Sequence, residues 1–158
     1  MLFSAATEDD TRRLAGALAA AVGPGDVIAL QGDLGAGKTT LTRYMVRALG
    51  VGPEIPVTSP TFTLANHYVT PDLEIIHADL YRLGDEAEAA GIGVEEWLAG
   101  NALVLVEWAD RIPGILGDDI LRIRIEHRGK TARRFVFEAT GEVSRDLMAA
   151  TAAGLDDN

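Results

Sequence analysis

Apolar positions along this chain alternate between two spacings, and each change of spacing marks an element boundary. In EDDTRRLAGALAAAV, residues Glu8 to Val22, the spacing sets Leu14, Leu18 and Val22 at i, i+4 and i+8. That is one face of a helix, with Thr7 in position as N-cap and acids in the first turn. GPG then turns the chain, and DVIALQG is a short apolar run of strand length, continuous as in a strand buried on both faces. From Lys38 the helical spacing returns: KTTLTRYMVRALG aligns Leu41, Tyr44, Met45, Ala48 and Leu49, and Gly50 stands at the C-terminal cap.

VGPEIPVTSPT, with three prolines, reads as a loop long enough to be functional. FTLANHYV and LEIIHADLY read as two strands joined by TPD, a hairpin that makes the sheet mixed. GDEAEAAGIGVEEWLAG is a broken, acidic helical region, and ALVLVEWADR returns to a buried strand with a polar end. DDILRIRIEHRGKTARRFVFEAT gives two alternating strands around HRGKTA, an antiparallel pair. Beyond Gly141 the alanine-rich EVSRDLMAATAAGL carries a weak helical pattern, so residues 140–158 are expected to form a partly frayed tail.

Length and composition narrow the picture. A chain of 158 residues with 47% apolar content is expected to fold as one domain over residues 1–158. No apolar run reaches the roughly 18 residues of a membrane span, and MLFSAATEDDTRRL lacks the basic and apolar regions of a signal peptide. A cytoplasmic protein with no membrane contact is expected. Cysteine is absent, which removes disulfides, thiolate nucleophiles and cysteine metal sites together. His67, His77 and His127 have no zinc-ligand spacing.

The formal charge of -10 argues against direct, strong nucleic-acid binding, which needs a basic surface to displace counterions. One stretch runs the other way. From Arg122 to Arg134 stand Arg122, Arg124, Arg128, Lys130, Arg133 and Arg134 against Glu126 alone. Such a run is the solvated face of a strand pair or a phosphate or partner contact, and its composition favours the solvated face.

Chemistry concentrates between the second and third apolar runs. GDLGAGKT, Gly32 to Thr39, fits G-x-x-x-x-G-K-[ST] in full, after a strand and before a helix. Glycines let consecutive N–H groups turn inward around a phosphate chain while the helix presents its positive end. Asp33, Leu34, Gly35, Ala36, Gly37, Lys38, Thr39 and Thr40 are therefore the nucleotide-binding candidates. Lys38 would reach the β and γ phosphates and the Thr39 hydroxyl would bind Mg²⁺, while Asp33 is expected to point outward, since facing inward it would repel the phosphates. A second Mg²⁺-side carboxylate is sought at the end of a neighbouring apolar strand, where ALVLVE ends on Glu107 and EIIHAD on Asp79. Either could hold the metal, hold its water or orient the attacking water. Lys130, in RGKT, lacks the upstream glycine and falls between strands, so it forms no second phosphate loop. The expected class is α/β: a P-loop NTPase-like fold with a mixed parallel and antiparallel sheet flanked by helices.

Neither lysine sits in the N-K-x-D type signature that reads guanine. At this point GDLGAGKTT, SPTFTL, HADLYRL, GI and LVEWADR, in this order from about Ser4 to Ala139, resemble the TsaE (YjeE-type) ATPases of bacterial threonylcarbamoyladenosine synthesis on tRNA. The resemblance implies ATP and Mg²⁺ as ligands, weak hydrolysis alone, and association with the TsaB and TsaD proteins, with tRNA reached through them. It implies phosphate contacts on Asp33 to Lys38, Mg²⁺ on Thr39 and Glu107, a switch-like loop at Ser59 to Leu64, and catalysis by Lys38, Asp79 and Glu107. It also implies nucleotide contacts at Glu8 and Lys130, and leaves Trp108 open between packing and a functional contact. Two other classes share the loop: a small-molecule kinase, for which Arg82 and Arg111 could serve, and a nucleotide-dependent binding module that does not hydrolyse.

Overall fold

The computed structural model describes residues 1–156. Its elements are β1 (Leu2–Ala5), α1 (Glu8–Ala21), β2 (Val27–Gln31), α2 (Lys38–Ala48), β3 (Ala65–Val69), β4 (Glu74–Asp79), α3 (Glu86–Gly91), α4 (Val94–Ala99), β5 (Leu103–Glu107), β6 (Leu121–His127), β7 (Arg133–Ala139) and α5 (Glu142–Asp156), with a 3₁₀ turn at Ala109–Arg111. The strands make one sheet in the order β1-β7-β6-β2-β5-β4-β3. β2 runs parallel to β5 and β6, and β4 parallel to β5, whereas β3, β7 and β1 pair antiparallel to their neighbours. The sheet is mixed, as the hairpin pattern predicts.

Strand alternation divides the buried side chains between two faces. Ile28 and Leu30 of β2, Leu103 and Leu105 of β5, and Ile75 of β4 join Leu14, Leu18, Leu41 and Met45 in one core. Ala29, Val104, Val106 and Ala78 turn the other way, under Ala89, Val94, Ile112 and Leu116. The continuous apolar runs of β2 and β5 thus follow from their central positions.

Local chemistry sets the helix limits. Thr7 closes a capping box on α1: its hydroxyl accepts from the Asp10 N–H at 3.2 Å, and Asp10 Oδ2 accepts from the Thr7 N–H at 2.9 Å. The weak helical pattern after Gly141 forms a 15-residue helix, α5, packed against α1. Asp119 caps it from outside, accepting from the N–H groups of Val143 and Ser144 at 2.9 Å each, while Leu147 and Thr151 are buried. The fraying expected at the terminus itself falls on residues 157 and 158, outside those described.

Two further departures have local causes. β1, missed in the sequence pattern because it is four residues long, adds an edge to β7. β3 begins at Ala65 and not Phe62, because the Leu64 N–H donates to the Pro60 carbonyl at 2.6 Å and Leu64 sits at φ +69°, closing a turn. Four members of the arginine run, Arg122, Arg124, Arg128 and Arg134, make ion pairs on the solvated side of β6, β7 and their turn, whereas Arg133 turns toward the glycine loop. Arg124, Arg128 and Arg134 surround Glu126 at 3.5, 2.7 and 3.9 Å, and Arg122 meets Glu138 at 3.6 Å, as befits a solvated strand pair. Among the described residues no helix is long and apolar enough to cross a membrane.

Candidate functional site

Three neighbouring strand ends build the site. β2 leads through the glycine loop into α2, and parallel registry sets Leu30 against Glu107 and Asp79 against Glu107. The two carboxylates predicted from separate strands therefore end side by side, next to the loop. Gly37, the N-cap of α2, has φ +113° and makes no side-chain cap bond. The N-cap thus offers the first N–H groups of α2 no side-chain acceptor, which suits an anion.

Lys38 is 4% exposed. Its Nζ donates to the carbonyls of Gly32 at 2.6 Å and Asp33 at 3.0 Å and lies 3.8 Å from the ring centroid of Trp108. Burial pushes its pKa down, opposed by Glu107, Asp79, Asp110 and Asp33. Trp108 combines packing with contact: at φ +59° it turns its ring onto Lys38, 4.9 Å from the Tyr81 ring centroid. Asp33, Leu34 and Gly35 form the exposed crest of the loop, whereas Ala36 is buried.

The Thr39 hydroxyl lies 2.8 and 3.0 Å from the two oxygens of Glu107, which is itself 2% exposed. Asp79, 1% exposed, accepts at Oδ2 from Ser59 (3.0 Å) and Thr61 (2.9 Å) and at Oδ1 from the Tyr81 N–H (2.8 Å). It anchors the proline-rich loop to the end of β4. Thr39, Glu107, Asp79, Ser59, Thr61, Tyr81 and Trp108 line one cavity of about 320 Å³ with the glycine loop. The donors are hard oxygens, hydroxyl and carboxylate, and among the described residues no three His, Cys, Asp or Glu cluster as a metal cage. That set fits Mg²⁺, which prefers one or two protein oxygens and completes its shell with waters and substrate phosphates.

Around the start of α2 lies a second cavity, of about 270 Å³, lined by Glu8, Thr11, Gly37, Thr40, Arg43, Lys130, Thr131 and Arg133. Glu8 and Lys130, far apart in sequence, thus converge next to the phosphate loop, where the Glu8 carboxylate is held by the Tyr44 hydroxyl. Sequence reasoning missed two residues here. Arg133 donates from Nε to the Ala36 carbonyl at 2.8 Å and from Nη1 to those of Gly129 and Ala132 at 3.1 and 2.9 Å, tying the phosphate loop to the β6–β7 turn. His77, fully buried, meets Glu107 Oε1 through Nε2 at 2.8 Å. A signal for His77 was present, a polar residue inside the apolar run EIIHAD, but its partner lies on another strand.

Comparison with known proteins places the chain in a family. A family model described as "Threonylcarbamoyl adenosine biosynthesis protein TsaE" matches residues 5–135. The chain is 41% identical over 133 residues to the tRNA threonylcarbamoyladenosine biosynthesis protein TsaE of Bacillus subtilis, covering 84% of this chain and 82% of that one. It is 40% identical over 119 residues to the protein of the same name from Rickettsia felis, covering 75% and 68%. The crystal structure of Bacillus subtilis YdiB superposes with a TM-score of 0.84 at 32% identity, covering 100% of this chain and 96% of that one. Sequence match and shared P-loop NTPase-like fold agree, and the chain belongs to the TsaE family of threonylcarbamoyladenosine biosynthesis proteins.

Proposed function

We propose that this single-domain, cytoplasmic chain is the Mg²⁺-dependent ATPase component of the tRNA threonylcarbamoyladenosine machinery, binding and hydrolysing ATP to support turnover of a TsaB–TsaD complex. One observation carries the reading: the open N-terminus of α2 faces a Thr39–Glu107 pair and a loop latched to Asp79, within one cavity. The N–H groups of the glycine loop cradle the phosphates, and Lys38 swings its Nζ from the Gly32 and Asp33 carbonyls onto them. Bound between Thr39 and Glu107, Mg²⁺ would neutralise charge on the phosphate oxygens. The Glu8 and Lys130 cavity takes the nucleoside end.

Asp79 has two tasks in this reading. Without nucleotide, its Oδ2 holds Ser59 and Thr61; with a γ-phosphate competing for those hydroxyls, Oδ2 is released to orient and deprotonate the attacking water. Loss of the phosphate returns the hydroxyls to Asp79, so residues 57–63 report the nucleotide state to a partner. The acidic chain leaves RNA contact to that partner. Multiple-turnover tRNA modification by TsaB and TsaD is the test, run with a variant that binds ATP without hydrolysing it. The expected result is a stall after the first cycle; full-rate repeated turnover would reject the proposal.

A further inference from the structure

His77 takes no part in the chemistry above, yet it occupies a place where an apolar residue would pack at lower cost. It follows Ile75 and Ile76 in β4, is wholly buried, and faces the same side of the sheet as Leu105 and Glu107. A histidine there must offset the burial of two ring nitrogens. Among the described residues one of them finds a partner: Nε2 lies 2.8 Å from Glu107 Oε1, while Nδ1 is buried and meets no hydrogen-bonding group of those residues. The ring's one hydrogen-bonded nitrogen is thus the one that faces Glu107.

Glu107 needs that service. Its carboxylate is buried and accepts bonds only, and the single Thr39 hydroxyl proton is shared between its two oxygens at 2.8 and 3.0 Å. His77 supplies the second when Nε2 carries a proton, the arrangement that an acceptor carboxylate at 2.8 Å selects. With Oε1 drawn between His77 and Thr39, the carboxylate cannot rotate about its terminal bond, and Oε2 is left with the freer lone pairs. We infer that His77 is a positioning residue for Glu107, fixing the carboxylate in the orientation that a divalent cation beside Thr39 requires. This rests on the ATPase reading above and adds to it a residue acting through Glu107 rather than on the nucleotide. Partners of ligating carboxylates, when removed, typically reduce metal affinity by about 10–100-fold.

The test measures metal binding directly. Free Mn²⁺ is counted by electron paramagnetic resonance during titration of the full chain with a non-hydrolysable ATP analogue, for wild type, His77→Leu and His77→Gln. His77→Leu, which fills the space without a donor, should weaken Mn²⁺ binding roughly 10–100-fold. His77→Gln, whose side-chain amide can place an N–H near Nε2, should restore most of it; a space-filling role would give the opposite order. Wild-type binding retained in full by His77→Leu overturns this inference alone. Failure of the wild-type chain to bind Mn²⁺ with nucleotide overturns the ATPase reading, and this inference with it. Should His77→Leu not fold, two-bond ¹H–¹⁵N correlation spectra of the wild type decide, with the exposed rings assigned through His67→Gln and His127→Gln. A proton on Nε2 of the remaining ring is expected, and a proton on Nδ1 with Nε2 bare overturns the inference.

Discussion

Replacing Gly32 with alanine isolates a part of the phosphate loop that the motif alone does not explain. The motif places this glycine where backbone must approach phosphate, but here the constraint is a strand. A Cβ on Gly32 would lie 2.5 Å from the Ile125 carbonyl oxygen and 3.1 Å from the Ala36 Cβ, at φ +143°. The first distance is roughly 0.8 Å inside an ordinary C···O contact of about 3.3 Å. Its partner is backbone of β6, which pairs with β7 at Ile125 and cannot swing aside. Overpacking of this kind costs about 1–3 kcal/mol, and forcing a side chain into a sparsely populated backbone region another 1–3 kcal/mol. Loss of unfolded-state freedom offsets only about 0.4–1 kcal/mol.

Gly32→Ala should therefore destabilise the fold by roughly 1–5.6 kcal/mol, a fall in Tm of about 2–22 °C for a chain this long. Gly35 is the control. It also has positive φ, +76°, but no atom of the described residues lies within 4 Å of the point a Cβ would occupy, so Gly35→Ala carries only the left-handed strain of about 1–2 kcal/mol before the same offset. Urea denaturation of both variants without nucleotide measures the difference. Equal losses, or a smaller loss for Gly32→Ala, would refute the steric argument.

Two further outcomes follow from single contacts. Arg133→Ala should release the Ala36 carbonyl and the β6–β7 turn together, weakening ATP binding by about 10-fold as a charge-assisted bond to the phosphate loop is lost; calorimetric titration measures it, and unchanged affinity would remove Arg133 from the site. Asp119 is held below its ordinary pKa of 3.8 chiefly by its bonds to Ser144, then Val143. A carboxyl depressed on folding contributes stability above its unfolded pKa, and that contribution is lost as pH falls through the folded value. Asp119→Asn should be less stable than wild type at pH 7 and decline less steeply below about pH 3.8; parallel curves would show that the cap is not formed.

Sequence patterning was most informative where a residue's partners are local. The glycine loop, the α1 cap at Thr7 and the buried runs of β2 and β5 all depend on near neighbours or on the alternation of a central strand. Glu107 and Asp79 were visible as strand-end carboxylates, but their juxtaposition comes from the β4–β5 register, and the latch on Ser59 and Thr61 from a loop folding back onto β4. Arg133 resembled its surface neighbours in the arginine run because the Ala36 carbonyl it binds lies 97 positions away. α5 looked weak because small residues dominate it; its place is set by Asp119 at its start and α1 along its side.

Phosphate release from Mg-ATP, by the protein alone and then with TsaB and TsaD, decides whether this chain is a partner-gated ATPase, with Glu107→Ala and Asp79→Ala run in parallel. Slow release that the partners stimulate, and that both variants lose, is the predicted result. ATP binding with no phosphate release under any condition would contradict that reading and leave a nucleotide-dependent binding module, and transfer of the phosphate to a metabolite would make the chain a kinase.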